Sequence, residues 1–560
     1  MTSTPPETDP TVDEGTTTDP EPQSAPANWH LQAGKVPAQE GVDPQQRAFS
    51  GFAPLPPPPP GFVATRWSGP AYGGGPAAWL SALVGGVAAA LALPLTKPGI
   101  GWFLVGLVIA VTVAYAARYG PTPDDKIERV IRVGWVVLAL GLLSVGSYLN
   151  AYWLFYICVL GALGCASLAV AGGHSVRALI VAAAALPLAF FRSIPWLFRG
   201  ANAWQKGREK QSGASRTVVA VIATVVLLLV FGGLFASADP AFAKIIGDIL
   251  PTLDAGTVRR AIFYTLIGGL FTAGAIFIVL APPDLSGLER PSTRRIGRVE
   301  LVLPLGALVL LFAGFVAVQF RFLFSDTAPA GTTFSKYAVQ GFGQLVVVTL
   351  LTLLVIGCAT RWAPKDNEQE RTLLRTLLGA LVLLSLVVVA SAVYRMWLYM
   401  NELGWTRERL FFGAVELYLG AVFLMVVIAG VKLRATWFPR AIIASFALLL
   451  IGIAAMNPER YIAERNIERF NAHKDDPAYM QTFDLGYLQF LTSDAIDELM
   501  TLEEPFRSCA LKRIEADLRT QPEQWYSWNY SRYHARIVIK KAQPNEGACT
   551  EWFAIRDRTR

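Results

Sequence analysis

The stretch that decides the fold is SAVYRMWLYMNELGWTRERLFFGAVELYLG, residues 391–420. It joins the end of one long apolar run to the start of another through a short polar turn. Arg395 lies five residues before the first run ends at Met400, and Glu416 lies six residues into the run that begins at Leu410. A helix crosses a bilayer core with about 20 predominantly apolar residues, and both runs reach that length. The stretch therefore predicts a helical hairpin in a membrane. Each arm carries a full charge about 7 to 9 Å below the end of its run, at 1.5 Å per residue.

The rest of the chain agrees with a membrane setting. Of its 560 residues 53% are hydrophobic and only 16% charged, with a mean hydropathy of +0.40; soluble chains run nearer one quarter charged. The net charge of +7 is not a nucleic-acid footprint here, because its placement among the loops carries the meaning. Five cysteines and four histidines are scattered. Neither a CxxC nor an HExxH occurs, so no metal or cofactor is implied.

Residues 1–76 form a separate kind of sequence. They hold eight acidic residues against Lys35, Arg47 and Arg66, with many Pro, Ser, Thr and Gly. Such a segment buries too little apolar surface to offset its ordering entropy and is expected to be disordered. Its PLPPPPPGF at 54–62 favours polyproline II, which serves either as a docking site for a proline-recognising partner or as a solvated spacer. No basic region followed by an apolar one opens the chain as in a signal peptide.

Apolar runs then lie near 77–95, 99–117, 131–148, 151–172, 178–198, 217–237, 260–281, 300–320, 343–361, 376–400, 410–431 and 439–456, giving a bundle over 77–456 of about 11–12 spans. Basic residues cluster in 192–216, 281–299, 361–375 and 432–440, which places those loops in the cytoplasm and the region after 456 outside. Loop 118–132, with Arg118, Lys126, Arg129 and Arg132, belongs inside too. Three runs separate it from 192–216, and an odd number cannot return the chain to the same side. Either 178–198, interrupted by Pro187, Arg192 and Pro195, does not cross, leaving the N-terminal tail inside, or this loop breaks the rule.

Residues 457–560 are polar and aromatic-rich and are expected to form a small helical extracytoplasmic domain. Asn457 reads as an N-cap with Pro458 at the first helical position, and Ser493 as the cap of DAIDELMTL. Cys509 and Cys549 are the cysteines of this domain. Outside the cell they are a candidate disulfide; the alternative is two free thiols. Cys158, Cys165 and Cys358 sit in apolar runs as small core residues.

Five stretches occur in a familiar order: FSKYAVQGFGQLVVVTLL (334–351), YRMWLYMNELGWTRERLF (394–411), NPERYIAERNIERF (457–470), DLGYLQFLTSDAIDELMTL (484–502) and WYSWNYSRYHAR (525–536). Together they resemble the bacterial multi-pass membrane proteins of domain-of-unknown-function families four-one-seven-three and four-one-five-three, over roughly 77–540. In the second stretch Trp405 stands where those families commonly have Leu, while Gly404, Thr406 and Arg409 are kept. The resemblance implies an integral bacterial inner-membrane protein with an outward helical tail domain. It implies no activity and no catalytic residues.

Three constellations could carry chemistry. In the hairpin, Arg395 and Glu416 lie at matching depths. A pair would lower the cost of each buried charge, with Tyr399 one turn from Arg395 placed to donate. The pair either lines a polar cavity that binds an ion or substrate, or serves packing, with Arg395 reaching the headgroups. In 321–345, Lys336, Tyr337 and Gln340 could form an interfacial pocket for an anionic lipid or glycan, or a re-entrant helix with aromatic anchors. In 238–259, Asp239, Asp248 and Asp254 are spread out, with no paired acidic motif of a membrane glycosyltransferase. His174, His473 and His534 have no evident Ser or Cys partner.

These observations predict an all-α fold: a polytopic helical membrane bundle with a small helical extracytoplasmic C-terminal domain. The expected role is non-enzymatic, that of a cell-envelope accessory or signalling-associated protein of the cell (inner) membrane. Its partners would be the lipid bilayer and a membrane or envelope protein, with no nucleic acid. A transporter or lipid-handling permease built on Arg395 and Glu416 is the alternative, and a glycosyltransferase-like enzyme the third.

Overall fold

The computed structural model describes residues 67–94, 96–121, 125–208, scattered positions between 224 and 242, 255–289, 297–323, 342–363, 367–432, 437–476, 479, 484–520, 523–545 and 547–550. The acidic tail up to residue 66 and most of the apolar run 217–237 lie outside the described residues. Among the described residues the chain is helical and without strands. Among the described residues ten helices are long and apolar enough to cross a membrane, and Pro76–Ala92 is a shorter apolar one. The chain is a multi-pass membrane protein built as a helical bundle.

The bundle helices are α1 (Pro76–Ala92), α2 (Ile100–Ala116), α3 (Lys126–Tyr148), α4 (Tyr152–Ala171), α5 (Val176–Arg208), α6 (Ala255–Leu280), the single turn α7 (Ser286–Glu289), α8 (Arg298–Leu323), α9 (Phe342–Trp362), α10 (Glu368–Leu403), α11 (Arg407–Lys432) and α12 (Phe438–Met456). The tail domain adds α13 (Pro458–His473), α14 (Leu485–Gln489), α15 (Ile496–Leu499), α16 (Phe506–Thr520) and α17 (Tyr530–Ala542). Local chemistry sets several boundaries. Asp125 caps α3 by accepting the Ile127 N–H. Asn457, left-handed at φ 53°, ends α12 and caps α13 by accepting the Arg460 N–H at 3.2 Å, with Pro458 in the first turn as its fixed φ favours. Thr492, not Ser493, caps the turn that leads into α15; the Ser493 hydroxyl instead meets that of Ser531 at 2.8 Å.

Apolar burial is divided. One core joins α1 to α6 with α12, around Leu142, Leu154, Phe155, Trp196 and Leu450. A second joins α8 to α11, around Leu381, Val388 and Phe423. A third fills the tail domain and includes Met396, Met400 and Trp405 from the α10–α11 hairpin. The tail domain is thus continuous in packing with the top of α10. Helices α1 and α6 approach backbone to backbone: a Cβ placed on Gly268 would lie 2.5 Å from that of Ala89 and 2.7 Å from the Gly85 carbonyl oxygen.

Neighbour relations give each helix a direction. The tail domain touches the α1–α2 loop through Trp528, whose carbonyl accepts the Ile100 N–H, and the α3–α4 loop through Asn529. Helix α6 passes Leu93 near its start, where Tyr264 packs, and reaches Gly120 at Val279. One end of the bundle therefore carries the tail domain. The other carries, among the described residues, 117–121, 125, 172–175, 281–289, 297, 363, 367 and 437.

Helix α5 does not run between these ends. Its start is fixed where Ser175 donates to the Leu288 carbonyl. Its far part is fixed where Arg192 donates to the Trp67 carbonyl, while the Trp67 indole donates to Ala281. Ala182 and Leu186 bond to Ser167, near the end of α4, and Trp196 packs on Phe277, near the end of α6. All of these partners belong to the end opposite the tail domain. Apolar length alone would make α5 a span; its contacts lay it along that end, with Pro187 and Pro195 inside the helix. The parity conflict of the basic loops disappears. Residues 118–121, 125–132, 192–201, 298, 361–363, 367–375 and 440 share one end with Trp67.

This placement is testable with single cysteines in a background free of reactive thiols. His174→Cys and Arg199→Cys should both react with an impermeant maleimide from one face of the membrane, and Lys540→Cys from the other. Labelling of the first two from opposite faces would make α5 a span.

Candidate functional site

The densest buried polar cluster among the described residues lies where the tail domain meets the bundle. Asn529 caps α17, accepting the Arg532 N–H, and donates from Nδ2 to the carbonyls of Gly146 and Leu149, each at 2.9 Å. Arg532, 5% exposed, donates to Asn150 Oδ1 at 2.6 Å, to the Pro98 carbonyl at 2.9 Å and to the Ser527 carbonyl. Its charge is met by Glu523 at 3.1 Å. The Asn150 N–H donates to both carboxylate oxygens of Asp494, at 2.8 and 2.9 Å. One side chain of α17 and one of the preceding turn thus satisfy the ends of α3 and the α1–α2 loop, groups that burial would otherwise leave unpaired at a cost of about 1–3 kcal/mol each.

A second anchor holds the hairpin. Gly404 ends α10 at φ 89°, a conformation that favours glycine. Arg409 donates to the carbonyls of Leu403 and Gly404, and the Thr406 hydroxyl accepts the Arg409 N–H. These are the three residues the hairpin motif keeps. Asn466 of α13 clasps Trp405 reciprocally, accepting its N–H at 2.9 Å and donating to its carbonyl at 2.8 Å. Arg407 pairs with the buried carboxylate of Glu459 at 2.7 Å and donates to the Phe490 carbonyl. Thr492 links the two anchors, its N–H donating to Glu459 and its hydroxyl to Asp494.

Two carboxylates, Glu459 and Asp494, therefore lie close together in this junction. Burial, and secondarily the charge of Glu459, pushes the Asp494 carboxyl up to about 7.

The sequence-predicted sites are distributed as follows. Arg395 and Glu416 are both buried but are not joined. Arg395 donates to Gln319 Oε1 of α8 at 3.0 Å, which also accepts the Ser391 hydroxyl at 2.6 Å. Glu416, 0% exposed, meets the Thr349 hydroxyl of α9 at 3.4 Å, and its second oxygen has no partner among the described residues. The depths match but the azimuths do not. Val389 and Met396, two turns apart, face Gly420 and Gly413 of α11, and a residue next to Met396 points about 100° away. Tyr399 serves Arg409, accepting from it at 3.1 Å under a guanidinium stacked 4.1 Å from the ring centroid. Cys509 and Cys549 are placed as a disulfide.

Lys336, Tyr337, Gln340, Asp248 and Asp254 lie outside the described residues, and Asp239 sits just past a helical position, its N–H bonded to the Phe235 carbonyl. His174 lies 3.4 Å from Glu128, which also pairs with Arg440 at 2.8 Å. His473 meets the Arg469 carbonyl and His534 meets Asp497. Among the described residues no three His, Cys, Asp or Glu are grouped to hold a metal. Sequence reasoning missed Asn150, Asn529 and Arg532. The signal was a lone Asn between two apolar runs and a polar cap in an aromatic-rich segment.

Fold and junction define a polytopic helical membrane protein whose C-terminal helical domain is bonded to one end of its bundle. The chain belongs to the family described as Domain of unknown function (DUF4153), whose model matches residues 137–502. This is one of the two families its motifs resemble; the match does not show the other. The matched region holds Asn150, the hairpin, Glu459 and Asp494, and stops before Asn529 and Arg532. No curated protein and no solved structure matches the chain.

The junction should be proton-linked. A raised carboxyl pKa in the docked state means that docking takes up a proton. Its stabilisation is full below the free value of about 3.9 and is lost as pH rises toward about 7. Tail-domain unfolding followed by protease sensitivity should therefore move to lower temperature between pH 5 and pH 7.5, and Asp494→Asn should flatten that slope. Arg532→Met should destabilise docking by about 3–5 kcal/mol, the scale for breaking a buried ion pair.

Proposed function

We propose that the protein acts without catalysis, as a cell-envelope accessory or signalling-associated protein whose tail domain is its contact surface. The observation that carries this reading is the double anchorage of that domain. Asn529, Arg532 and Asp494 bond to α1–α4 elements, while Asn466 and Glu459 bond to the hairpin of the other half-bundle. A domain fastened across both halves is suited to couple an external contact to the arrangement of the helices, provided the anchors shift between discrete states. The basic loops gathered at the opposite end support a cytoplasmic location for that end. The Cys509–Cys549 bridge supports an oxidising compartment for the tail domain, which fits an inner membrane with this domain outside.

A second reading, a transporter or lipid-handling permease, rests on Glu416, because an ionisable residue buried at membrane depth marks a functional site by default. The two readings separate experimentally. A photo-crosslinking residue at exposed Tyr533 should give a discrete protein adduct in living cells, and one at lipid-facing Leu424 should not. Absence of any adduct at Tyr533, together with solute flux in proteoliposomes that is lost on Glu416→Gln, would replace the accessory role by the permease.

A further inference from the structure

Between the α10–α11 hairpin and α14 lies a cavity of about 440 Å³. Its apolar wall is Met396 and Phe412, and Tyr487 faces them from the tail domain. Arg409 lines it, and every partner of its guanidinium is neutral: two backbone carbonyls, the Tyr399 hydroxyl and the Tyr399 ring. No carboxylate lies within the 4.0 Å ion-pair distance of Arg409 among the described residues. By contrast the neighbouring Arg407 is neutralised by Glu459. Among the described residues Arg409 is thus an oriented cation held by neutral groups, with no carboxylate in ion-pair contact.

The other polar groups of the lining are mostly donors. The Tyr487 hydroxyl accepts the Arg407 N–H at 2.7 Å and the Thr406 hydroxyl accepts the Arg409 N–H. Each therefore keeps its own proton to donate. Glu408 is the one acid of the lining and is exposed, where solvent and salt screen it. Donors around a fixed guanidinium recognise an anion, and phosphate oxygens suit them. The apolar wall adds a second requirement. Phe412 lies five residues into α11, about 7.5 Å below its start, and is 49% exposed.

We infer that this cavity seats the phosphate-bearing headgroup of an anionic phospholipid from the membrane the bundle spans. The phosphate sits on Arg409 with the Thr406 and Tyr487 hydroxyls, and the first acyl carbons lie over Phe412 and Met396. A soluble phosphate would leave the apolar wall unused. The site does not depend on the accessory role, since it concerns the hairpin and its own membrane.

The test is native mass spectrometry of the delipidated full chain, titrated with phosphatidylglycerol, with phosphatidylcholine and with inorganic phosphate. The expected result is about tenfold preference for phosphatidylglycerol over phosphatidylcholine, the scale of one charge-assisted hydrogen bond. Inorganic phosphate should not displace the lipid. Arg409→Gln should abolish the preference and Arg409→Lys should retain most of it. Because Arg409 also ties the turn, Tyr487→Phe, which removes one donor and leaves Arg409 in place, should weaken phosphatidylglycerol binding several-fold by itself. Equal affinity of wild type, Arg409→Gln and Tyr487→Phe for phosphatidylglycerol would overturn the site. Displacement by inorganic phosphate would overturn its assignment to a lipid.

Discussion

At one end of the bundle, backbone groups between helices are covered by protein instead of water, and each must find a partner. The end of α3, the α3–α4 loop and the α1–α2 loop are all in this position. Asn529 takes the Gly146 and Leu149 carbonyls, Arg532 takes Pro98 and the Asn150 side chain, and Asp494 takes the Asn150 N–H. The tail domain therefore completes the bundle. Removing it would expose the carbonyls of Gly146, Leu149 and Pro98, leave the Asn150 N–H without its acceptor and take from Arg407 the carboxylate of Glu459. The same constraint explains why the domain carries polar residues in its interior, where a freestanding helical domain would carry apolar ones.

Charge inside the bundle follows a related rule. Arg395 is solvated by Gln319 and lies near the tail end, while Glu416 is held against Thr349. Each charge is assigned to a different neighbouring helix. The hairpin arms meet through Val389, Met396, Gly413 and Gly420, which is packing by small and flexible residues, and the polar groups point to either side of that seam. At the basic end a different cluster, Glu128 with Arg440 and His174, ties α3 to α12 and the α4–α5 loop.

Much of the fold was legible in the sequence. Apolar run length located the bundle helices, because hydrophobic thickness leaves little choice. The parity of the basic loops left two readings open, that 178–198 does not cross or that loop 118–132 breaks the rule. The caps at Asn457 and Pro458 followed from local chemistry. What stayed hidden depends on azimuth or on distance along the chain. Arg395 and Glu416 matched in depth, yet a one-residue offset from the seam turns Arg395 toward another helix. The junction joins Asn150 to Asp494 and Arg532, residues more than 300 positions apart in sequence, and no local pattern encodes such a pairing. The tail-domain stretches 457–470, 484–502 and 525–536 contain the residues that make these bonds, and the family match covers the first two.

The central claim is that the tail domain is bonded to the bundle through the Asn150 backbone. Hydrogen exchange at the Asn150 amide measures this directly, because that group lies in a helix-connecting loop and has Asp494 as its acceptor. Slow exchange in the intact chain, accelerated by Arg532→Met, is the predicted result. Exchange at the rate of an open loop in the intact chain would contradict the docked arrangement.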